Sequence, residues 1–311
     1  MKKKTLTSVL LILSVLFPLF SNSSWITIGT TFVIYSIVSL SQDIVLGRAG
    51  MFDMGHAIYF GMGAYTTAIL NSTYGVPVLL TIPFAVIIPV IFAVLLAAPI
   101  VHLKGDYLLV ATLGFNIVFE QALKNNLFGI TGGPNGIFGV GVPSIFGIEF
   151  SSQASIYYFS LFFLFLTLVI MNNLEASKTG RALHYINEDS LASETIGINT
   201  RFYKIFAFAV SAALSGLAGV AFAVQYSTVS PEAFSFIQSV LFFTIVIVGG
   251  QSSIPGVLIG TFLMFVVPEI FREFATARYF VFGIAMILTM ILRPKGIWPV
   301  KFGRIPKYIR H

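Results

Sequence analysis

Between Val76 and Val101 the chain reads VPVLLTIPFAVIIPVIFAVLLAAPIV, a run with no charged side chain that is about long enough to cross the hydrocarbon core of a bilayer as one helix. Two further stretches, Trp25 to Leu46 and Ile156 to Met171, are similarly apolar. Membrane strands alternate apolar and polar residues, and these stretches do not. Composition agrees, because 57% of the 311 residues are hydrophobic and only 10% are charged, which is more apolar surface than a water-soluble globule can hide. The fold class that follows is all-α, a polytopic membrane protein.

The absence of cysteine excludes disulfides, thiolate metal sites and a thiol nucleophile. A net charge of +6 in a soluble protein would raise the question of nucleic acid, but the cations here cluster in a few loops and at the two ends, so no nucleic-acid partner is expected. Lys2, Lys3 and Lys4 precede an apolar run from Leu6 to Phe20, the layout of a signal peptide. That run closes on Phe17, Pro18, Leu19, Phe20 and then Ser21 to Ser24, without the small-residue cleavage pattern. An uncleaved first helix is therefore expected.

About ten segments read as transmembrane or re-entrant helices, near residues 6–21, 25–46, 52–70, 77–102, 106–127, 155–174, 204–226, 237–249, 254–270 and 278–293. Lys and Arg collect in cytoplasmic loops, which tests the count independently. With the three lysines inside, ten crossings place Arg48, Lys104, the 175–204 connection (Lys178, Arg181, Arg201, Lys204) and the C-terminal tail inside as well. The tail carries Arg293, Lys295, Lys301, Arg304, Lys307 and Arg310, and the predicted outer segment from Phe128 to Gln153 carries no cation. Both termini are thus expected to be cytoplasmic. Arg272 and Arg278 fall outside in this scheme, beside Glu269 and Glu273; a pair of short helices over 237–270 that dip in and return is the alternative arrangement.

Two clusters of glycine interrupt this pattern: Gly47, Gly50, Gly55, Gly61 and Gly63 in the first half, and Gly249, Gly250, Gly256 and Gly260, with Pro255, in the second. Glycine lets helices approach closely, and it also lets a helix break where backbone can face a cavity or substrate. Residue for residue, packing is the commoner role. Their concentration at corresponding places in the two halves favours a translocation path, for which Gly47, Gly50, Gly55, His56, Gly249 and Gly250 are the candidate residues. Asp43 and Asp53 flank the first break and are placed to pair with Arg48. Asp53 and His56 lie one helical turn apart, which would suit a metal pair or proton relay, but two ligands are too few, so a hydrogen-bonded structural histidine is expected and no metal site. No catalytic constellation is present in the sequence, so no enzyme is expected. The G-x-x-x-x-G-K-[ST] phosphate loop is missing too, so energy from ATP would have to come through a partner.

Gly47-Arg48-Ala49-Gly50, then Met54-Gly55-His56-Ala57 and Phe60-Gly61-Met62-Gly63-Ala64-Tyr65, resembles the G-Y-A-G, S-L-G-H and F-G-I-G-A-Y signature of branched-chain amino acid ABC permeases, the M-type subunit being the closer of the two kinds. Lys104-Gly105-Asp106-Tyr107 with Thr112-Leu113-Gly114 is similar to that subunit's R-G-D-Y and T-L-G segment, and Thr131-Gly132-Gly133-Pro134-Asn135-Gly136 to its outer T-G-G-x-x-G turn. Gly180-Arg181-Ala182-Leu183, Glu188-Asp189, Ala192, Glu194, Gly197-Ile198-Asn199 and Tyr203-Lys204 resemble its cytoplasmic loop. Gly249-Gly250, Gly256, Gly260 and Arg293-Pro294-Lys295-Gly296-Ile297 complete the series. The chain departs from the pattern at Arg48, where an aromatic residue is common, at Met51, where Gln is common, and at Asp43 and Asp53, which replace neutral polar residues.

The resemblance implies a single permease domain over 1–311, embedded in membrane lipid, and the three-lysine start and the basic loops suit a bacterial or archaeal plasma membrane. It implies an importer in which an extracytoplasmic binding protein delivers the substrate, a second permease subunit completes the path, and two ATP-binding-cassette subunits hydrolyse ATP, this chain holding no cofactor. The loop 175–204, read as one short helix, would then couple to the ATPase through Gly180, Arg181, Glu188, Asp189, Ala192, Glu194 and Gly197. Without the resemblance, a solvated loop that fixes orientation by charge is the simpler reading. The implied substrate is an aliphatic amino acid. Permeases for urea or short amides share the signature, and a secondary carrier or channel is the alternative from another class.

Overall fold

The computed structural model describes residues 21–103, 105–145 and 148–270, together with Ser14, Phe17, Pro18, Leu19, Gly283, Ile287 and residues 296–298. The helices expected near 6–21 and 278–293, Lys2 to Lys4, Lys104, Arg272, Glu273, Arg278 and the cations of the C-terminal tail lie outside the described residues.

Helix α1 spans Ser23–Asp43 and widens into a π-turn over Ile44–Arg48, and α2, Ala57–Ala68, runs into a second one over Ile69–Thr73. Then come α3, Val78–Ile100; α4, Asp106–Lys124; α5, Gln153–Ala176; α6, Lys178–Glu188; α7, Ser190–Thr195; and α8, Thr200–Tyr226. Helix α9 covers Phe236–Gly249, and α10 covers Ile254–Thr261 before a π-turn at Phe262–Val266 and a last helical turn, Val267–Ile270. Five helical stretches among the described residues are long and apolar enough to cross a membrane: Ser23–Arg48, Val78–Ile100, Gln153–Ala176, Thr200–Tyr226 and Pro231–Gly249. Helix is the form these sequences take because hydrocarbon offers backbone groups no partner, and an α-helix satisfies them internally.

Helix α8 is the axis of the bundle, packed against α3, α2, α1 and α5. Its interior is small and polar-tipped: Ser211, Ala212, Ser215, Gly216, Gly219 and Ala223 are all buried. Helix α3 answers with a stripe at every fourth position, Thr81, Ala85, Pro89, Ala93 and Ala97, while Leu80, Phe84, Ile87, Ile91 and Leu95 point away from the protein. A strict four-residue spacing follows one ridge of the helix surface, so α3 meets its neighbours ridge into groove. The closest approach is between backbones: a Cβ at Gly63 of α2 would collide with the main chain of Gly216, and one at Gly216 with the carbonyl of Ala85.

Two expectations change. Helix α2 begins at Ala57 rather than near residue 52, because Gly50 turns the chain at φ 67° and Gly55 N–H donates to Asp53 Oδ1 at 2.8 Å, closing a turn where the first helical winding was expected. The 175–204 connection is two helices rather than one, since α5 runs on to Ala176, Asp189 interrupts, and α8 already starts at Thr200. The segment from Phe128 to Gln153 holds short strands: β1 (Ile137–Phe138) pairs antiparallel with β4 (Thr228–Val229), Ile137 opposite Val229, and β2 (Ser144–Ile145) pairs with β3 (Ile148–Glu149). Glu120 near the end of α4 accepts a bond from Lys124 Nζ one turn later, at 2.7 Å.

Candidate functional site

The end of α1 decides the local architecture. As the helix widens, Ala49 N–H reaches back to the carbonyl of Ile44 and Met51 N–H to that of Val45, at 3.1 and 2.9 Å. Carbonyls at a helix end need partners from elsewhere. Gly47 finds two, the side-chain amide of Asn187 on α6 and the hydroxyl of Ser252 in the α9–α10 turn, each at 2.8 Å. Gly50 then takes a left-handed conformation with the Asn187 side chain lying where a Cβ would be.

Asp43 and Arg48 meet at the same place. Arg48 Nε lies 3.5 Å from Asp43 Oδ2, both side chains being almost wholly buried, and Asp43 Oδ1 accepts the N–H of Ser252 at 2.7 Å. The guanidinium also reaches the carbonyl of Met171 at 3.3 Å and Glu175 Oε2 at 3.5 Å, at the close of α5. Two residues that depart from the family signature are therefore one ion pair. Of the two aspartates placed to meet Arg48, Asp43 does so and Asp53 does not.

Asp53 is engaged by His56 instead. Asp53 Oδ2 is 3.2 Å from His56 Nδ1, and His56 Nε2 is 2.8 Å from Ser41 Oγ and 2.9 Å from Ser215 Oγ. An acid, an imidazole and a hydroxyl in series have the connectivity of a nucleophilic triad. Here all of them are sealed between α1, α2 and α8 with almost no exposure, so no substrate reaches the hydroxyls. The arrangement locks three helices together, which is the structural role expected of His56.

Around the second glycine cluster the backbones press on one another. A Cβ at Gly249 would strike the carbonyl of Gly256, one at Gly256 would lie 2.6 Å from the carbonyl of Gly249, and one at Gly260 would strike that of Ile245. Ile297 N–H and Trp298 N–H donate to the carbonyls of Val248 and Gly249 at 2.9 and 3.0 Å, so a further segment of chain closes over the end of α9. Gly47 and Gly55 are likewise flanked by protein atoms, Gly47 by Asp43 and Ser252, Gly55 by the Thr112 carbonyl.

The seven residues expected in the 175–204 connection divide by position. Gly180 is buried beneath the carbonyl of Leu174, where no side chain fits, and its N–H caps onto Ser177 Oγ at 3.0 Å. Asp189 Oδ1 caps α7 by accepting the N–H groups of Leu191 and Ala192 at 2.9 and 3.1 Å. Gly197 ends α7 at φ 86°, with Gly197 N–H on the carbonyl of Glu194 and Ile198 N–H on that of Ser193, the Schellman pattern. Glu194 Oε1 accepts from Thr200 Oγ1 at 2.6 Å, while Arg181 Nη1 donates to the carbonyl of Ala176 at 3.1 Å. Arg181, Glu188 and Ala192 face outward, beside the exposed apolar side chains of Tyr185, Leu191 and Ile196. Next to them a cleft of about 550 Å³ opens between α7 and the ends of α3 and α8, lined in part by Pro99, His102, Leu191, Arg201 and Lys204. Burial, reinforced by the nearby Arg48 guanidinium, holds the His184 imidazole below its ordinary range.

Sequence reading missed Asn187, Ser252, Ser41 and Ser215. Ser41 lies 15 positions from His56 and Ser215 lies 159, and each is one hydroxyl among many. Asn187 and Ser252 bond a main-chain oxygen, which leaves no trace in residue type.

A family model described as branched-chain amino acid transport system / permease component matches residues 24–290. The high-affinity branched-chain amino acid transport system permease protein LivM of Escherichia coli strain K12 is 34% identical over 322 aligned positions, which cover 96% of this chain and 76% of the relative. The LivH permease protein of the corresponding Salmonella typhimurium system is 24% identical, covering 88% of this chain and 92% of its own. A probable branched-chain amino acid transport permease protein LivM of Methanocaldococcus jannaschii is 25% identical, with 87% and 92% covered. No solved structure matches the chain.

Proposed function

The chain belongs to the family of branched-chain amino acid transport permeases, and from that membership we propose that it is one of two permease subunits of an ATP-driven importer for aliphatic amino acids. The observation that carries the reading is the match to the permease component along nearly the whole bundle, including both glycine clusters and the α6–α7 connection. In this reading the subunit provides half of a conduit, a second permease provides the other half, a binding protein delivers cargo on the Tyr226 side, and two ATPase subunits act on the α6–α7 side. That side is the cytoplasmic face of a bacterial or archaeal plasma membrane.

The shape of α6 and α7 supports a docking role. Gly180 lets α6 fold back tightly under α5, Asp189 and Gly197 cap the two ends of α7, and Leu191, Ala192 and Ile196 stand clear of the protein with Arg181 and Glu188 nearby. An exposed apolar cluster with a charged rim is what a partner surface requires. Asn187 of α6 also bonds the Gly47 carbonyl, so a displacement of α6 would act on the Gly47–Gly50 turn as well as on α5 and α8. For cargo, a carboxylate would be met by helix ends freed at the glycine turns and an aliphatic side chain by the surrounding Leu, Ile, Val and Phe.

The deciding experiment is uptake in a strain lacking the endogenous system and supplied with this chain and its partners. Labelled leucine should enter only with ATP and the binding protein, with competition by isoleucine and valine but not urea. Competition by urea alone would assign the substrate to the amide class, and uphill movement by the purified chain alone in vesicles would overturn the reading.

A further inference from the structure

We propose that the carbonyl oxygen of Gly47 is the joint that ties the α6–α7 segment to both glycine-rich turns, with Asn187 and Ser252 as the positioning residues that hold it. The proposal rests on the permease reading and adds to it the path by which a push from outside the membrane enters the bundle.

Three elements distant in sequence converge on this one atom. The oxygen belongs to the π-turn that ends α1; Asn187 Nδ2 comes from α6 and Ser252 Oγ from the turn between α9 and α10, both at 2.8 Å. Neither donor is free to slide. The Asn187 side chain occupies the space above Gly50 where any other residue would put a Cβ, so α6 bears on the 47–50 backbone by packing as well as through the bond to Gly47. Ser252 is fixed twice, because its N–H donates to Asp43 Oδ1 at 2.7 Å while its hydroxyl holds Gly47, and it is kept at φ 61°, a conformation that serine seldom takes. A displaced Gly47 therefore pulls on the α9–α10 turn, where Gly249 and Gly256 lie backbone to backbone. Asn187 itself lies at the surface of the protein, beside the outward residues of α6, so it is within reach of whatever moves that helix.

The test uses the complete importer, with its own second permease, ATPases and binding protein, in proteoliposomes. Uptake and ATP hydrolysis are measured together, with co-purification of the ATPase as the assembly readout. Asn187→Asp keeps the shape and removes the donor; Ser252→Ala removes only the hydroxyl; Asn172→Asp, which removes a similar amide-to-carbonyl bond on the outer face of α5, is the control. Losing one such bond should lower substrate moved per ATP hydrolysed by about tenfold in Asn187→Asp and Ser252→Ala, with hydrolysis and co-purification within about twofold of the parent and Asn172→Asp unchanged. An unchanged ratio in both variants overturns the joint, as does a parallel fall of hydrolysis and uptake with loss of the ATPase. Should Asn187→Asp fail to assemble, Ser252→Ala decides alone, since it removes the other donor to the same oxygen. A parent complex without ATP-dependent uptake overturns the permease reading itself, an outcome distinct from a coupled variant.

Discussion

His56 Nε2 stands 2.9 Å from Ser215 Oγ, and through that contact the start of α2 is fastened to the middle of α8. Ser41 offers the imidazole a second hydroxyl at 2.8 Å. Ser215→Ala therefore leaves the ring satisfied and should cost about 0.5–1.5 kcal/mol, the net worth of one hydrogen bond. His56→Ala leaves Asp53 Oδ2 without its donor and opens a void among α1, α2 and α8, so about 2–4 kcal/mol is expected. Thermal unfolding of the detergent-purified protein ranks the two; equal losses would contradict the clamp.

The Asp43–Arg48 pair makes a double-mutant test. Arg48→Met strands a buried carboxylate and should cost about 3–5 kcal/mol, whereas Asp43→Asn with Arg48→Met removes both charges and should recover most of that loss. Additive losses in the double variant would show that the two side chains stabilise the protein independently.

Some glycines are pressed against backbone and others face open space. Gly63→Ala drives a methyl into Gly216 and should abolish accumulation in the membrane. Gly114→Ala on α4 meets nothing within 4 Å and gains about 1 kcal/mol of helix propensity, so accumulation should equal or exceed the parent. Immunoblots of membrane fractions distinguish these outcomes.

At Gly197 the space is open and the constraint is the backbone, held at φ 86°. Replacement by Trp should abolish ATP-driven uptake while the protein remains in the membrane. Replacement by Asn, which tolerates the left-handed region, should retain most of it, at a cost near 1 kcal/mol or below. Normal transport by the Trp variant would exclude a coupling role for this turn.

Burial lowers the proton affinity of His184 in the fold relative to its ordinary value of 6.5, with Arg48 acting in the same direction and Glu175 and Glu188 opposing. The unfolded chain then binds more protons in that window, so stability rises with pH there. His184 contributes its share in full above 6.5, and that share is lost as pH falls through 6.5 toward the folded value. Protection of the α6 amides, taken relative to the base-catalysed exchange rate of an unstructured chain at each pH, should fall on acidification from about pH 8 to about pH 5.5, and His184→Gln should flatten the response.

The spanning helices were legible because the bilayer forces an apolar run and an internally bonded backbone to coincide, as in Val78–Ile100. The Asp53–His56 contact was legible too, because three positions on a turn is a short-range relation. What escaped the sequence was settled over long range. Ser215 reaches His56 across 159 positions, Asn187 reaches Gly47 across 140, and in the second case the partner is a carbonyl that every residue carries. The ribbon of β1 and β4 escaped for another reason: strands of two residues are too short to impose a period.

That ribbon also governs how the protein can deform. The chain leaves it at Phe138 and returns at Thr228, so α5, α6, α7 and α8 together form a closed frame whose ends are clasped. A load placed on α6 and α7 arrives at the tip of the frame opposite the clasp. The two long limbs cannot spread where they are fastened, so a load at the tip reaches the clasp through both of them.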